Sequence, residues 1–86
     1  MEFKFDPAKS MSNLLKHGIS FDEARQLWRD PNVLIIQAKR VDEPRWIAIG
    51  QIRENTWSVI FTKRSDRIRI ISVRRSRANE VALYES

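Results

Sequence analysis

The stretch RWIAIGQIRENTWSVIFTKRSDRIRIISVRR, residues 45–75, decides the fold of this chain. It contains three runs rich in β-branched and aromatic residues, at 45–52, 56–64 and 67–74. The short polar breaks REN and SD separate these runs, and such breaks between β-rich segments are typical of antiparallel hairpins. The stretch therefore predicts three consecutive strands that pair as neighbours in one sheet.

Towards the N-terminus the sequence predicts two more strands and a helix between them. EFKF (2–5) alternates between polar and apolar residues, and NVLIIQAK (32–39) is apolar and β-branched, as strands are. Asp6 and Pro7 suit the N-cap and the first position of a helix. We expect this helix to run to about His17 and to end at Gly18, a residue type common at helix C-termini.

Two further helices complete the predicted order of elements. SFDE (20–23) has the pattern of a capping box, and the helix that it opens is expected to end before Asp30-Pro31. SRANEVALYE (76–85) predicts a closing helix with Ser76 as its cap. The order is β-α-α-β-β-β-β-α, which indicates a single α+β domain over residues 1–86 with helices packed on a small antiparallel sheet.

The composition indicates a small, basic globular protein. Its 86 residues are 42% hydrophobic and 31% charged, and the net charge of +5 points to an anionic partner. Without cysteine there is no disulfide scaffold or thiol nucleophile, and one histidine makes a poor metal site, so we predict no metal and no cofactor. No apolar run approaches the roughly 20 residues of a membrane span, and the first residues have no apolar signal core. We therefore expect a soluble, cytoplasmic protein without a membrane partner.

The two hairpins decide which side chains share a face of the sheet. Two-residue turns at Glu54-Asn55 and Ser65-Asp66 would put the apolar residues on one face, predicted as core: Trp46, Ala48, Gly50, Ile52, Trp57, Val59, Phe61, Ile68 and Ile70. The other face then has a basic end with Arg45, Thr62, Arg64, Arg67 and Arg69, and an apolar remainder of Ile47, Ile49, Ile60 and Ile71. Because adjacent strands lie about 4.8 Å apart, we predict that the guanidinium groups form one anion-binding patch beside the imidazole of the first helix.

Helical spacing divides the first helix in a similar way. Met11, Leu14, Leu15 and Gly18 lie on one side, whereas Lys9, Asn13, Lys16 and His17 form a polar stripe. At the start of the last helix, the positive charges of Arg74, Arg75 and Arg77 oppose the helix dipole by a few tenths of a kcal/mol each. Backbone N–H groups flanked by arginines would suit a phosphate there.

Several of these segments together resemble the BrnT family of toxins. FKFDPAKSMSNLLKHGISFDEA resembles its opening signature, and RWIAIG, VIFTKR and RIRIISVRRSRANEVALYE resemble the rest. The resemblance implies a RelE-like fold and a type II toxin–antitoxin system, with a toxin that cleaves RNA, free or on the ribosome, and so inhibits translation. It also implies a hetero-oligomeric complex with a BrnA-type antitoxin, whose DNA-binding domain brings the complex to operator DNA.

The resemblance also implies a set of functional positions. The matching residues are Lys9, Asn13, Lys16, His17, Arg45, Arg64, Arg69, Arg74, Arg75 and Glu80. Related ribonucleases often have a tyrosine in the site; here Phe61 lacks the hydroxyl, and Tyr84 is the one tyrosine in the sequence.

RNA can be cut without a metal when its 2′-OH attacks the adjacent phosphorus. That reaction needs a base, an acid and positive charge on the phosphorane, and arginine supplies the charge with a planar fork of donors. We assign the charge to Arg64 and Arg69, supported by Arg45 or Arg74; the alternative is a solvated basic face or a surface for an acidic antitoxin. His17 is either a general acid or base or a packed helix-end residue, and Glu80 either a base or a residue that orients an arginine.

The remaining basic residues have two interpretations as well. Lys9 and Lys16 contact the RNA backbone or are ordinary solvated charges, and Arg75 belongs with Arg74 to the predicted RNA-binding set. The three tryptophans either stack on bases or belong to the core, and a core role is the more common in so small a domain. Two alternatives to a nuclease stay open: a non-catalytic nucleic-acid-binding module and a protein-interaction module.

Overall fold

A computed structural model describes residues 1–38 and 44–86 of the chain. The elements follow the predicted order, and their bounds are β1 (Glu2–Lys4), α1 (Pro7–His17), α2 (Phe21–Ala24), a 3₁₀ helix (Arg25–Arg29), β2 (Leu34–Ala38), β3 (Arg45–Ile52), β4 (Asn55–Arg64), β5 (Arg67–Arg75) and α3 (Ala78–Glu85). The predicted α+β class is thereby confirmed. Lys39, the last residue predicted for β2, lies outside the described residues. Within the described ranges, no helix combines the length and the apolar character needed to cross a membrane.

The five strands form one sheet in the order β1-β5-β4-β3-β2. Strands β2 to β5 are antiparallel neighbours, as the hairpin pattern predicts. Strand β1 pairs with β5 in parallel, so the sheet is mixed where the sequence predicted an antiparallel one. Parallel neighbours need a long connection, and here α1, α2, the 3₁₀ helix and β2 to β4 lie between these two strands in the chain.

One of the two hairpin turns lies one residue earlier than predicted. Arg64 pairs with Arg67 across the predicted Ser65-Asp66 turn, but Ile52 pairs with Asn55, which places the other turn at Arg53-Glu54. Each β3 residue therefore meets a β4 partner two positions from the predicted one. Because side chains alternate with a period of two residues, this even shift leaves the predicted faces unchanged.

The helix ends follow the predicted capping signals except in α3. The Asp6 carboxylate accepts a hydrogen bond from the Ala8 N–H at 2.9 Å, and Gly18 ends α1 with a left-handed φ of 79°. In the predicted capping box, Ser20 Oγ accepts from the Glu23 N–H at 3.1 Å. The prediction of Ser76 as the N-cap of α3 is wrong, because Arg77 occupies that position. The Ser76 hydroxyl is instead hydrogen-bonded to the Ser58 hydroxyl, with 2.8 Å between the oxygens.

The core lies between the apolar face of the sheet and the segment formed by α2 and the 3₁₀ helix. Its buried residues are Ile19, Phe21, Ala24, Leu27, Ala48, Ile52, Val59, Phe61, Ile68, Ile70 and Val73, and all three tryptophans pack against them. Gly50 permits the close approach of the 3₁₀ helix, since a Cβ there would lie 3.0 Å from Leu27 Cγ. On the opposite face α3 packs against β3, and Ile49 there is fully buried.

Helix α1 packs on the sheet through polar side chains. Ser10 and Asn13 are each 8% exposed, and Ser10 Oγ accepts a hydrogen bond from the Phe21 N–H at 2.9 Å. The Asn13 amide donates to the carbonyls of Ile19 and Val73, each at 2.9 Å, and accepts from the Val73 N–H at 3.3 Å. The predicted polar stripe of α1 therefore includes its attachment to β5, while the apolar side faces away.

Candidate functional site

Four cationic side chains surround a cleft at the free end of the β4–β5 hairpin. This basic cleft has a volume of about 420 Å³ and is lined by Lys4, Thr62, Arg64, Arg67 and Arg69. Arg64 is the register partner of Arg67, and Arg69 lies between its partners Lys4 and Thr62 on the two flanking strands. Register partners present their side chains on the same face, so the pairing of β1, β4 and β5 collects these charges.

Two cations of the basic cleft are internally paired and two are not. The Glu2 carboxylate lies 3.1 Å from Arg67 Nε and 3.8 Å from Lys4 Nζ. In the part of the chain that the structure describes, neither Arg64 nor Arg69 has an acidic partner within 4.0 Å. Their guanidinium groups thus leave a positive potential at the cleft, which favours a bound anion.

Arg45 lies beside the basic cleft rather than in its lining. It begins β3 as the register partner of Ala38, on the face that also carries Thr62. Its Nε is buried and makes no hydrogen bond within the described ranges.

His17 lies in a separate groove, farther along β5 than the basic cleft. This His17 groove has a volume of about 250 Å³ and is lined by Lys9, Ser12, Asn13, Lys16, His17, Phe21, Ile71 and Ser72. It shares no lining residue with the basic cleft, although the sequence predicted the imidazole beside the arginines. The β4–β5 register slips between Ile60 and Phe61, so Ile71 is left without a partner and the neighbouring Ser72 faces Ile60.

Glu80 is bound so completely that orienting an arginine suits it better than accepting a proton. Its carboxylate accepts from Arg74 Nη1 at 2.7 Å and Nη2 at 2.9 Å, from Ser58 Oγ at 3.0 Å and from the Arg77 N–H at 2.8 Å. The hydrogen bonds from Arg74 are the main reason that the pKa of Glu80 is lowered to about 2, against the opposing effect of burial. A carboxylate with so low a pKa is a weak base at neutral pH.

Arg74 and Arg75 lie on opposite faces of β5, away from the basic cleft. Arg74 is directed at Glu80, and this hydrogen bond raises the pKa of the Arg74 guanidinium. The Arg75 guanidinium lies 5.6 Å from the centre of the Trp57 ring on the core face. Two of the three arginines that the sequence places around the start of α3, Arg74 and Arg75, are therefore held by protein partners.

Tyr84 lines neither the basic cleft nor the His17 groove. Its hydroxyl donates a hydrogen bond to the Asp30 carboxylate, which raises the pKa of Tyr84 to about 12. Burial would raise the pKa of Asp30, but bonds from Tyr84 and from the Gln51 and Asn32 N–H groups outweigh it, so that this pKa is lowered. The one tyrosine ties α3 to the segment before β2 and supplies no hydroxyl to the basic cleft.

The sequence interpretation missed Lys4 in the lining of the basic cleft and Glu2 as the ionic partner of Lys4 and Arg67. The alternation of EFKF does put these two residues on one side of a strand. Nothing in the alternation indicates which strand is the neighbour of β1, so the residues could not be connected with the arginines of β5.

The fold and the cleft define a class of protein: a small α+β domain whose cleft, lined by three arginines, a lysine and a threonine, favours an anionic ligand. A family model described as "Ribonuclease toxin, BrnT, of type II toxin-antitoxin system" matches residues 5–80, and the chain belongs to this family. A search of curated proteins gives no match. Membership of a toxin–antitoxin family implies that the chain has an antitoxin partner.

Proposed function

We propose that this toxin is a metal-independent endoribonuclease that inhibits translation by cutting RNA at the basic cleft. The observation that carries the proposal is the pair Arg64 and Arg69, whose charges face the cleft without an acidic partner in the described chain. A threonine hydroxyl and four cations make up its lining, and such groups bind phosphate oxygens rather than a metal cation.

In the proposed reaction the 2′-oxygen forms a bond to the adjacent phosphorus while the bond from phosphorus to the 5′-oxygen breaks. A base takes the proton of the 2′-OH, and an acid protonates the leaving 5′-oxygen. The products are a 2′,3′-cyclic phosphate and a free 5′-hydroxyl. Arg64 and Arg69 donate hydrogen bonds to the phosphoryl oxygens and stabilise the charge that grows on the phosphorane.

We assign proton transfer to His17, with Lys9 and Lys16 as contacts to the RNA backbone. These residues line the His17 groove, and β5 connects that groove to the basic cleft. Ser72 is three residues beyond Arg69, or about 10 Å along a strand. Because a base must lie within hydrogen-bond distance of the 2′-OH, proton transfer by His17 at a phosphate held by Arg64 and Arg69 requires the two sites to approach each other when RNA binds.

The other predicted site residues take supporting roles. Arg45 lies next to the basic cleft and takes the role of a further contact to RNA through the end of its guanidinium group, since its Nε is buried. Glu80 and Arg74 act as positioning residues that fix α3 against β5, and Arg75 extends the basic surface on the opposite face.

The antitoxin is proposed to be of the BrnA type, with a DNA-binding domain of its own. The hetero-oligomeric complex would then reach operator DNA through the antitoxin, while the basic cleft of the toxin is reserved for RNA.

One observation favours a second candidate, a module that binds RNA without cutting it. His17, the one histidine of the sequence and the residue proposed for proton transfer, does not line the basic cleft. A cleft lined mainly by cationic side chains gives strongly salt-dependent binding without needing a catalytic group.

Incubation of the purified chain with RNA oligonucleotides distinguishes the two candidates. We expect new 2′,3′-cyclic phosphate ends, formed also in the presence of a chelator and about 100- to 1000-fold more slowly with Arg64→Ala. His17→Ala should slow cleavage while leaving RNA affinity nearly unchanged.

The matched control is Arg53→Ala, which removes the same charge at the opposite end of β4. It should cleave at the wild-type rate, and all three variants should melt at the wild-type temperature. RNA binding without scission at any enzyme concentration would support the binding module and refute the nuclease.

A further inference from the structure

Helix α1 exposes a row of apolar side chains that the fold does not use. Met11, Leu14 and Leu15 are 57%, 37% and 82% exposed. Their spacing of three and four residues puts them on one side of the helix, so they form a continuous α1 apolar stripe. None of the three lines the basic cleft or the His17 groove.

The arrangement is the reverse of an ordinary surface helix, in which the apolar side faces the core. Here polar side chains attach the helix, because Ser10 and Asn13 bond to the backbone at Phe21, Ile19 and Val73. A single exposed leucine is unremarkable, but a contiguous apolar row on one helix is typical of an interaction site. The stripe therefore indicates a partner that binds α1 from outside.

The charge next to the stripe restricts the kind of partner. The sequence of α1, PAKSMSNLLKH, contains Lys9 and Lys16 but no acidic residue. A second copy would bring the same lysines and a net charge of +5 against this helix, which disfavours self-association. An RNA strand would satisfy the lysines but has no apolar side chains for the leucines.

We propose that the α1 apolar stripe docks an acidic amphipathic helix of the antitoxin. The apolar side of that helix would cover Met11, Leu14 and Leu15, and its carboxylates would face Lys9 and Lys16. Since these two lysines also line the His17 groove, a helix held there would close the groove to RNA. This last step, how docking blocks activity, rests on the proposed nuclease function, whereas the docking itself does not.

The first test compares two leucines that are both exposed on helices. Leu15→Asp places a charge in the stripe, and Leu83→Asp does the same on α3, where the leucine is 49% exposed. Binding of the purified cognate antitoxin is measured by calorimetry. We expect Leu15→Asp to weaken binding about 10- to 100-fold and Leu83→Asp to leave it within about twofold of wild type.

The second test identifies the occupant. The chain has no cysteine, so a Leu15→Cys variant carries one thiol for a cross-linker. With the full antitoxin, mass spectrometry should find the cross-link in an acidic, amphipathic segment, and raised salt should weaken the wild-type complex.

Several results would overturn the proposal. They are wild-type affinity in Leu15→Asp, equal losses in the two aspartate variants, and a cross-link to a second copy accompanied by a wild-type dimer in sedimentation equilibrium. Antitoxin binding is measured without RNA, so this test does not depend on the nuclease function. If the wild-type chain never cleaves RNA but Leu15→Asp weakens antitoxin binding, only the nuclease proposal is refuted. The melting temperature of Leu15→Asp is the control: if it equals that of the wild type, a loss of binding is not caused by a loss of fold.

Discussion

Replacing Glu80 with glutamine tests whether this residue serves structure or catalysis. In Glu80→Gln the shape is kept, but an NH₂ group replaces the oxygen that accepts from Arg74 Nη2 at 2.9 Å. Two donors then face each other, and the Arg74 guanidinium loses the carboxylate that binds it. Position 80 is only 7% exposed, so water replaces that carboxylate poorly. Breaking a buried ion pair in this way typically costs several kcal/mol.

The lowered pKa gives the size and the pH dependence of this effect. A carboxyl group with an ordinary pKa of 4.5 that titrates at about 2 in the folded chain contributes about 3 kcal/mol to the free energy of unfolding at neutral pH. The contribution is fully present above pH 4.5 and is lost as the pH falls towards 2, because protonation removes the charge that Arg74 binds. From the same two pKa values, about 1.5 kcal/mol remains at pH 3.

Urea unfolding of the wild type and Glu80→Gln at several pH values measures the difference. We expect about 3 kcal/mol at pH 7, equivalent to roughly 12–24 °C in melting temperature, narrowing steadily below pH 4.5. Glu85→Gln, an exposed carboxylate on the same helix, is the matched control and should change little. A difference in unfolding free energy below about 1 kcal/mol at pH 7, or one that does not narrow in acid, would refute the reasoning. Loss of RNA cleavage in a fully folded Glu80→Gln variant would instead indicate that Glu80 acts as a base.

Two other substitutions test how the helices are attached. Asn13→Ala removes three hydrogen bonds to Ile19 and Val73 and should lower the free energy of unfolding by about 2–4 kcal/mol, with faster hydrogen exchange at the Val73 amide. Wild-type stability and wild-type exchange in this variant would contradict the role of Asn13 in attaching α1. Gly50→Ala puts a Cβ 3.0 Å from Leu27 Cγ and 3.2 Å from Asp30 Oδ2 and should cost about 1–3 kcal/mol in chemical denaturation, whereas an unchanged midpoint would mean that the 3₁₀ helix moves freely.

The strands and the core were predictable because the local signals agree with one another. The runs at 45–52, 56–64 and 67–74 match β3, β4 and β5 to within a residue. The turn predicted at Glu54-Asn55 lies at Arg53-Glu54, but this error does not change the predicted faces, since a shift of two positions in the pairing conserves the face of every side chain. The alternation of apolar and polar residues thus predicts which side chains share a face of the sheet more reliably than it predicts which residues pair across two strands.

The orientation of α1 and the pairing of β1 could not be predicted, because both depend on distant parts of the chain. Helical periodicity correctly separates Leu15 from Lys16, but it does not say which side meets the sheet. In the sequence Asn13 is one more polar residue of the helix, and nothing there indicates that its amide bonds the Val73 backbone of β5. In the same way, the low pKa of Glu80 depends on Arg74 and Ser58, which come from two different strands.

The bulge in β5 decides which arginines remain available for a ligand. In RIRIISVRR the alternation breaks at Ile70-Ile71, and the register slips at the same place. Before the break, Arg67 and Arg69 face the basic cleft; without it, the same alternation would turn Val73 out of the core and Arg74 into it. With the unpaired Ile71, Val73 is fully buried and Arg74 reaches Glu80. One extra residue thus divides a dense run of arginines into a part that holds α3 and a part that is left for an anion, which is why the density of arginine alone does not locate the site.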